Sequence, residues 1–468
     1  MWRTTKQSSR ITRWFISVCL SIWAAPSWGA WTQEAKLLPE DGEALDLFGS
    51  AVSISGDYAI VGAPSHEGLG DQAGAAYIFQ WDGRNWAQTH KLEASDGDAD
   101  HRFGYSVSLD GFVALVGAPY ADGNEPGSGA AYVFRRELRF IPGQGFVVVW
   151  AREAKLIAPG GKTGDLFGYS VSLESDLSLI GAPAAGSWEE GASYVFRKDE
   201  GLWIIESTLT GPPDEYVGGF GCSADIHNGY ATIGARFWPL LEMDYYGYAS
   251  IFKRAYRIIP PGDVVWFWQE KAGFFMNLGE DPYPQLPVAM GDGWAAAGNP
   301  SEWTWYDYRD WIGQIIHVFV GNVGEAQVYQ EGDPNWNTAD VLALGEHTEN
   351  DYFGCSLAIG GDYMAVGIPG RDEGGTDIGA VYMYRPWAGV WGKAAVLVPS
   401  GGGEGDWFGA AVGIDEQHII VGAPRADDVR KEDCGAAYIF RVCPTADSDG
   451  DCEVNFLDFA EFAEQWLQ

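Results

Sequence analysis

Basic charge is scarce in this chain. Its 468 residues hold 29 Lys and Arg against 65 Asp and Glu, a net charge of −36. Such an average surface repels nucleic acid and anionic lipid. Cysteine is also scarce, at six residues, so the chain is not a disulfide scaffold. The seven histidines share no metal-ligand spacing, and no nucleophile motif or phosphate loop is present. Long apolar runs are missing after the N-terminus, which excludes a later membrane-spanning helix.

The N-terminus reads as a secretory signal. Arg3, Lys6, Arg10 and Arg13 precede the apolar run Trp14 to Ala25, and Ser27-Trp28-Gly29 places cleavage before Ala30. Residues 1–29 carry four basic and no acidic side chains, so the rest has 25 basic against 65 acidic residues and a net charge of −40. Five cysteines remain: Cys222, Cys355, Cys434, Cys443 and Cys452. Cys443 and Cys452 flank a short loop and could pair in an oxidising compartment. Cys222 and Cys355 each follow a Phe-Gly pair in non-neighbouring repeats and are expected as small buried hydrophobes.

What the chain has in abundance is repetition. Trp31, Trp86, Trp150, Trp203, Trp268, Trp336 and Trp391 each stand six residues before Leu37, Leu92, Leu156, Leu209, Phe274, Leu342 and Leu397. Each repeat has four apolar runs, bounded by Gly, Pro and Asp, and these are strand signals. The first run follows Phe-Gly, at Phe48, Phe103, Phe167, Phe220, Phe353 and Phe408. In the fifth repeat the count places Pro284-Gln285 there. The second run ends in Gly-x-Pro, with Arg236 in place of Pro in the fourth repeat. The third begins at Gly74, Gly129, Gly191, Gly247, Gly313, Gly379 and Gly435; the fourth is the Trp-led strand.

The first Trp-led strand precedes everything it should belong to, and the seventh repeat stops at Phe440 without one. A ring resolves both facts, because closure removes exposed sheet edges. The chain is expected to be all-β, a seven-bladed β-propeller over residues 30–442 closed by its N-terminal strand.

These residues resemble the FG-GAP repeat, the repeat of the integrin α-subunit N-terminal propeller. The resemblance covers residues 31 to 442 and implies an extracellular adhesion or ligand-binding role. Integrin-type repeats often carry a calcium loop between the first two strands. Here that connection is a short hairpin, as at Ser55-Gly56-Asp57, so no calcium is expected in the blades.

Two regions are candidate sites. Trp303, Trp305, Tyr306, Tyr308 and Trp311 lie between the second and third strands of the fifth repeat, and Trp238 and Tyr245 occupy the matching connection in the fourth. Such aromatics could stack on sugars or anchor a protein, or form a local mini-core. The loops before each Phe-Gly are acidic, with Asp46, Asp165, Asp351 and Asp406 two residues ahead of it. They read as a cation-collecting face or as turn-setting side chains.

Residues 443–468 form a separate calcium-loop segment. Asp447, Asp449, Asp451, Asn455 and Asp458 supply side-chain oxygens at loop positions one, three, five, nine and twelve, with the Glu453 carbonyl at seven. A following helix would place Phe459, Phe462, Ala463, Trp466 and Leu467 on one face. The segment looks like one half of a type I dockerin, with Cys452 where Gly is usual, which implies a cohesin-like attachment partner. The expected function is a secreted, non-enzymatic binding or adhesion protein for an extracellular protein or glycan, with no nucleic acid and no membrane span after cleavage. The alternatives are a propeller-based glycosidase or polysaccharide lyase, or a structural surface or matrix protein.

Overall fold

Alternating runs of four to eight apolar residues punctuated by glycine hairpins form short antiparallel strands, and seven such groups stack around one axis. The structure is a computed structural model that describes residues 31–212, 217–237, 245–259, 263–279, 286–300, 304–309, 315–320, 324–331, 336–343, 350–372, 376–387, 390–427 and 433–443. Seven four-stranded sheets are present among these residues, with no helix. Blade 1 comprises Ala51–Ser55, Tyr58–Ala63, Ala75–Trp81 and Trp86–Leu92, from axis to rim. Blades 2 to 6 follow in chain order. Blade 7 contains Ala411–Ile414, His418–Ala423 and Ala436–Val442, and its outer strand is Trp31–Leu37. The displaced first strand therefore completes the last blade.

Closure is visible at the hairpins as well. Ser55 accepts the Gly111 N–H of blade 2, Glu174 of blade 3 accepts the Asn228 N–H of blade 4, and Asp415 of blade 7 accepts the Gly56 N–H of blade 1 at 3.0 Å.

The Trp-to-Leu spacing has a mechanical meaning. A β-bulge falls on the outer strand in each of blades 1 to 6, at the residue three after the Trp; Thr89, Glu153 and Glu206 are examples. One extra residue reverses the alternation of faces. The Trp then points to one neighbouring blade and the Leu to the other. Trp86 packs in the cluster shared by blades 7 and 1, and Leu92 in the cluster shared by blades 1 and 2. Trp31 lies against the blade 6–7 cluster and Leu37 is in the blade 7–1 cluster. Seven hydrophobic clusters thus occupy seven blade interfaces, and each outer strand ties two of them together.

Where the residue three after the Trp is Glu, it also receives the next blade's indole. Trp86 donates to Glu34 at 2.9 Å, Trp203 to Glu153 at 2.7 Å and Trp268 to Glu206 at 3.0 Å. Blade 1 has Thr89 at this position, and the buried Trp150 Nε1 finds no partner among the described residues.

The Phe-Gly pair rivets blades on the other side of the sheet. Phe48 is fully buried, edge-on to Tyr77 at 5.5 Å and Phe79 at 6.1 Å in its own blade. Its backbone bridges to Gly435 of blade 7. A Cβ on Gly435 would stand 2.0 Å from the Phe48 carbonyl oxygen, and its φ of +87° suits glycine alone. Parallel bridges join Gly74 to Phe103, Gly129 to Phe167, Gly191 to Phe220 and Gly379 to Phe408.

Blade 5 departs from the sequence expectation twice. Its third strand is Glu325–Glu331, preceded by Gly324, and not a strand starting at Gly313. An inserted hairpin, Thr304–Arg309 paired with Ile315–Val320, lies between the second and third strands. The apolar run after Gly313 belongs to that hairpin, which is why it imitates a blade strand. The Phe-Gly place is also shifted. In blades 2, 3 and 6, Ser106, Ser170 and Ser356 each donate to the carbonyl of the next blade's Phe-Gly glycine; Ser223 donates instead to Leu286. Leu286 thus supplies that carbonyl, one residue beyond the glycine place that the Pro284-Gln285 count assigns to Gln285.

Candidate functional site

The seven inner strands enclose an axial cavity of about 430 Å³. The residues that follow Phe-Gly ring it: Ser50, Tyr105, Tyr169, Cys222, Cys355 and Ala410. Both cysteines therefore line one cavity, although their blades are not neighbours. Cys222 is buried as expected, whereas Cys355 is only half-buried. Both remain thiols, as does Cys434. Burial pushes the Cys355 thiol up to about 12, so it is held protonated and unreactive at neutral pH. The Tyr105 and Tyr169 rings lie 4.9 Å apart, and burial raises the Tyr105 phenol far above its usual value. Arg102 is the only charged side chain in the lining among the described residues. It packs over Tyr120 at 5.1 Å.

Among the described residues the acidic loops do not converge on this axis. Asp46, Asp165 and Asp406 are buried, and each accepts the backbone N–H three residues earlier, from Glu43, Lys162 and Gly403. His101 takes the same place in blade 2 and accepts the Asp98 N–H at 3.0 Å. The backbone carbonyls of Asp46, Asp165, Asp351 and Asp406 accept N–H groups from the connection after Gly-x-Pro. The recurring side chain is a turn and staple element, which is the second of its two sequence readings.

Blade 1 adds a polar chain that the spacing of residues does not announce. His66 Nδ1 lies 2.7 Å from Asp46, and Lys91 Nζ lies 2.7 Å from His66 Nε2 and 2.8 Å from Asp41. Tyr77 donates to Asp41 at 2.9 Å. The Lys91 donor selects the tautomer with the proton on Nδ1, facing Asp46. Burial pulls Lys91 down, but its bonds to Asp41 and Glu93 outweigh that and hold the ammonium above its usual value. Burial raises the Asp41 carboxyl, but bonds from Lys91 and Tyr77 outweigh it and hold the group below its usual value. In blade 6 the matching pair is Asp351 and Arg371, at 3.1 Å. All these groups are paired, so the network braces loops and presents no free base.

The aromatic candidates divide. Trp305, Tyr306 and Tyr308 lie on the inserted blade 5 hairpin, paired with Phe319, Val318 and Ile316. Tyr245 opens the third strand of blade 4, Tyr245–Ile259, opposite Gly279, and is not in a loop. Trp238, Trp303 and Trp311 lie outside the described residues, as do Asp447, Asp449, Asp451, Glu453, Asn455 and Asp458 and the expected helix after them. Among the described residues no group of His, Cys, Asp or Glu could hold a metal ion. Cys443 is disulfide-bonded, with its partner outside the described residues.

The FG-GAP repeat pattern matches residues 31–79, 86–134, 150–196, 336–384 and 391–440, more than half of the chain. Each match runs from one Trp-led strand through the third strand of the following blade. The stretch that forms most of blades 4 and 5 falls between matches. No curated protein matches the chain.

Proposed function

The chain belongs to the FG-GAP repeat family, and on that premise we propose that it is a non-enzymatic binding or adhesion protein acting outside the cell. One observation carries this reading. Among the described residues the recurrent loop carboxylates are bound to turn N–H groups or cations, while the axial cavity has a neutral lining apart from Arg102. Glycoside hydrolysis asks for two carboxyls facing one bond, whereas recognition asks only for a shaped, partly apolar surface.

The ligand surface is the aromatic region of blades 4 and 5, with Trp238, Tyr245, Trp303, Trp305, Tyr306, Tyr308 and Trp311 as contacts for a protein or a glycan. This is where the repeat pattern lapses and a hairpin is inserted. The C-terminal segment binds calcium through Asp447, Asp449, Asp451, Glu453, Asn455 and Asp458 and serves as an attachment module for a cohesin-like partner. A signal-like N-terminus and a disulfide at Cys443 support an extracellular location.

Glycan and protein arrays probed with the full chain test the first claim. Binding that is lost when Trp303, Trp305 and Trp311 become Ala supports it, and turnover of a bound glycan refutes the non-enzymatic reading. Calorimetric titration of the full chain with calcium, against a variant carrying Asp447→Ala and Asp449→Ala, tests the second. No heat difference between the two at millimolar calcium removes the metal assignment.

A further inference from the structure

Blades 2 and 4 carry the same insertion. From the aromatic residue near the end of the third strand to the Trp of the fourth is seven residues in blades 1, 3, 5 and 6, as from Phe79 to Trp86. In blades 2 and 4 it is sixteen, from Phe134 to Trp150 and from Phe252 to Trp268. The two insertions also match in pattern. Blade 2 reads Arg136-Glu137-Leu138-Arg139-Phe140-Ile141-Pro142, and blade 4 reads Arg254-Ala255-Tyr256-Arg257-Ile258-Ile259-Pro260. Each lengthens the outer hairpin into a two-stranded ribbon, Ala130–Ile141 with Gly145–Leu156 and Tyr245–Ile259 with Asp263–Gly279.

The ribbons are apolar where they meet solvent. Leu138, Phe140 and Phe146 are 60% to 70% exposed, and Tyr256 and Ile258 are 61% and 66% exposed. In blade 2, Phe140 faces Phe146 and Leu138 faces Val148; in blade 4, Tyr256 faces Trp266, and Ile258 lies two residues along the strand from Tyr256, on the same face. Cross-strand partners share a face, so both ribbons present the same apolar face. A bare two-stranded ribbon is marginal alone and needs a cover. Residues 135–150 carry three Arg and one Glu, and residues 253–268 carry one Lys, two Arg and one Asp. Each ribbon is thus formally +2 in a chain of −36, although at its base Arg135, Lys253 and Arg254 pair with Glu153, Glu331 and Glu206 of the body.

We propose that the twin ribbons are a docking device for an anionic phospholipid surface. Three features select lipid over a protein or a sugar. Matched positions keep hydrophobicity but not shape, with Phe140 against Ile258 and Leu138 against Tyr256. A bilayer reads hydrophobicity without shape, while a protein interface needs complementary form. Aliphatic side chains do not stack on sugar rings, and only one ribbon has aromatics at its end positions. Arg257 stands beside the apolar end of the blade 4 ribbon, where a guanidinium can reach lipid phosphate while its stem stays apolar; Arg139 stands at the matching place in blade 2, where a phosphate would compete with Glu137 of the same ribbon for it. The acidic body does not forbid the contact. Nine extra residues lengthen each ribbon by about 15 Å, beyond a physiological Debye length of about 8 Å.

Flotation of the full chain with vesicles of phosphatidylcholine and phosphatidylglycerol in equal parts tests the proposal. The chain should float with these vesicles and less with phosphatidylcholine alone. Phe140→Ser with Phe146→Ser, or Tyr256→Ser with Ile258→Ser, should each weaken partition by roughly tenfold or more, and all four should abolish it. Arg139→Glu with Arg257→Glu should remove only the preference for the anionic vesicles. The substituted side chains are exposed, so melting temperatures should match the parent and separate lost binding from lost folding. The proposal is overturned if the parent chain stays with the soluble fraction, or if the four-residue variant floats equally well. Light scattering without lipid supplies a third overturning result, a dimer that the same four substitutions dissociate, which would assign the ribbons to self-association.

Discussion

Blades 1, 2, 3, 6 and 7 keep every element of the repeat, and blades 4 and 5 shed several of them while keeping the sheet. In the regular group a Phe-Gly pair enters each blade, and all five third-strand glycines form parallel bridges to the next blade. In blade 4, Arg236 pairs within the sheet where other repeats have Pro, and in blade 5 the Leu286 carbonyl stands in for that of a glycine. Yet Trp336 and Leu342 of blade 5 still bridge the clusters on either side. The Trp–bulge–Leu strand is therefore the element the ring retains, and the Phe-Gly rivet is the one it relaxes where a hairpin is inserted.

That ranking breaks if the rivet matters more than the strand. The largest expected effect is removal of residues 31–37, which leaves blade 7 with three strands and uncovers two clusters; the chain should lose its cooperative thermal transition. Trp31→Ala alone should cost about 3 kcal/mol in denaturant unfolding, the low end for large aromatics, because Trp31 is half-buried. Next comes Glu206→Ala. It leaves Arg254 and the Trp268 indole without their shared acceptor and Arg197 with Asp199 alone, at a cost of about 3 kcal/mol. Gly74→Ala should then cost a few kcal/mol, because its Cβ would lie 2.1 Å from the Phe103 carbonyl at a φ of +83°. Replacing Leu286 by Gly should cost less than replacing its buried counterparts in the Trp-led strands, if blade 5 has relaxed this contact.

Two smaller effects sharpen the role of the bulge. Thr89→Glu should give Trp150 the acceptor it lacks and stabilise blade 2 by about 1 kcal/mol. Glu153→Gln should depend on pH. Burial raises the Glu153 carboxyl, but bonds from Lys198, Arg135 and Trp203 outweigh it and hold the group below 4.5. Its stabilising charge is present above that value and lost as pH falls through the lowered one. The variant should therefore melt below the parent at pH 7 and approach it in acid. Asp406 has the opposite sign: burial raises its carboxyl above 3.8. Asp406→Asn should gain on the parent as pH rises through that range, less any loss from the weaker cap on Gly403.

Most of the ring is legible in the sequence, because period-two strands between glycine turns declare themselves and a count of seven needs no geometry. The Trp-to-Leu spacing is legible as a pattern but not as a mechanism: six residues imply one face, and only the bulge turns them to two. Gly313 misleads because an inserted hairpin brings its own glycine and apolar run. The shift to Leu286 leaves no spacing signal, since Gly298 keeps its backbone bond to Pro287. The His66–Lys91–Asp41 chain joins residues far apart in sequence, and nothing short-range marks it. The twin ribbons do leave a spacing signal, nine extra residues between the third-strand aromatic and the Trp in each of blades 2 and 4.

Hydrogen exchange of the peptide spanning residues 31–37 tests the closure of the ring most directly. The account predicts protection equal to that of residues 86–92, the interior counterpart in blade 1, and loss of both only in global unfolding. Exchange of residues 31–37 within seconds, while residues 86–92 stay protected, would contradict it and leave the seventh blade open.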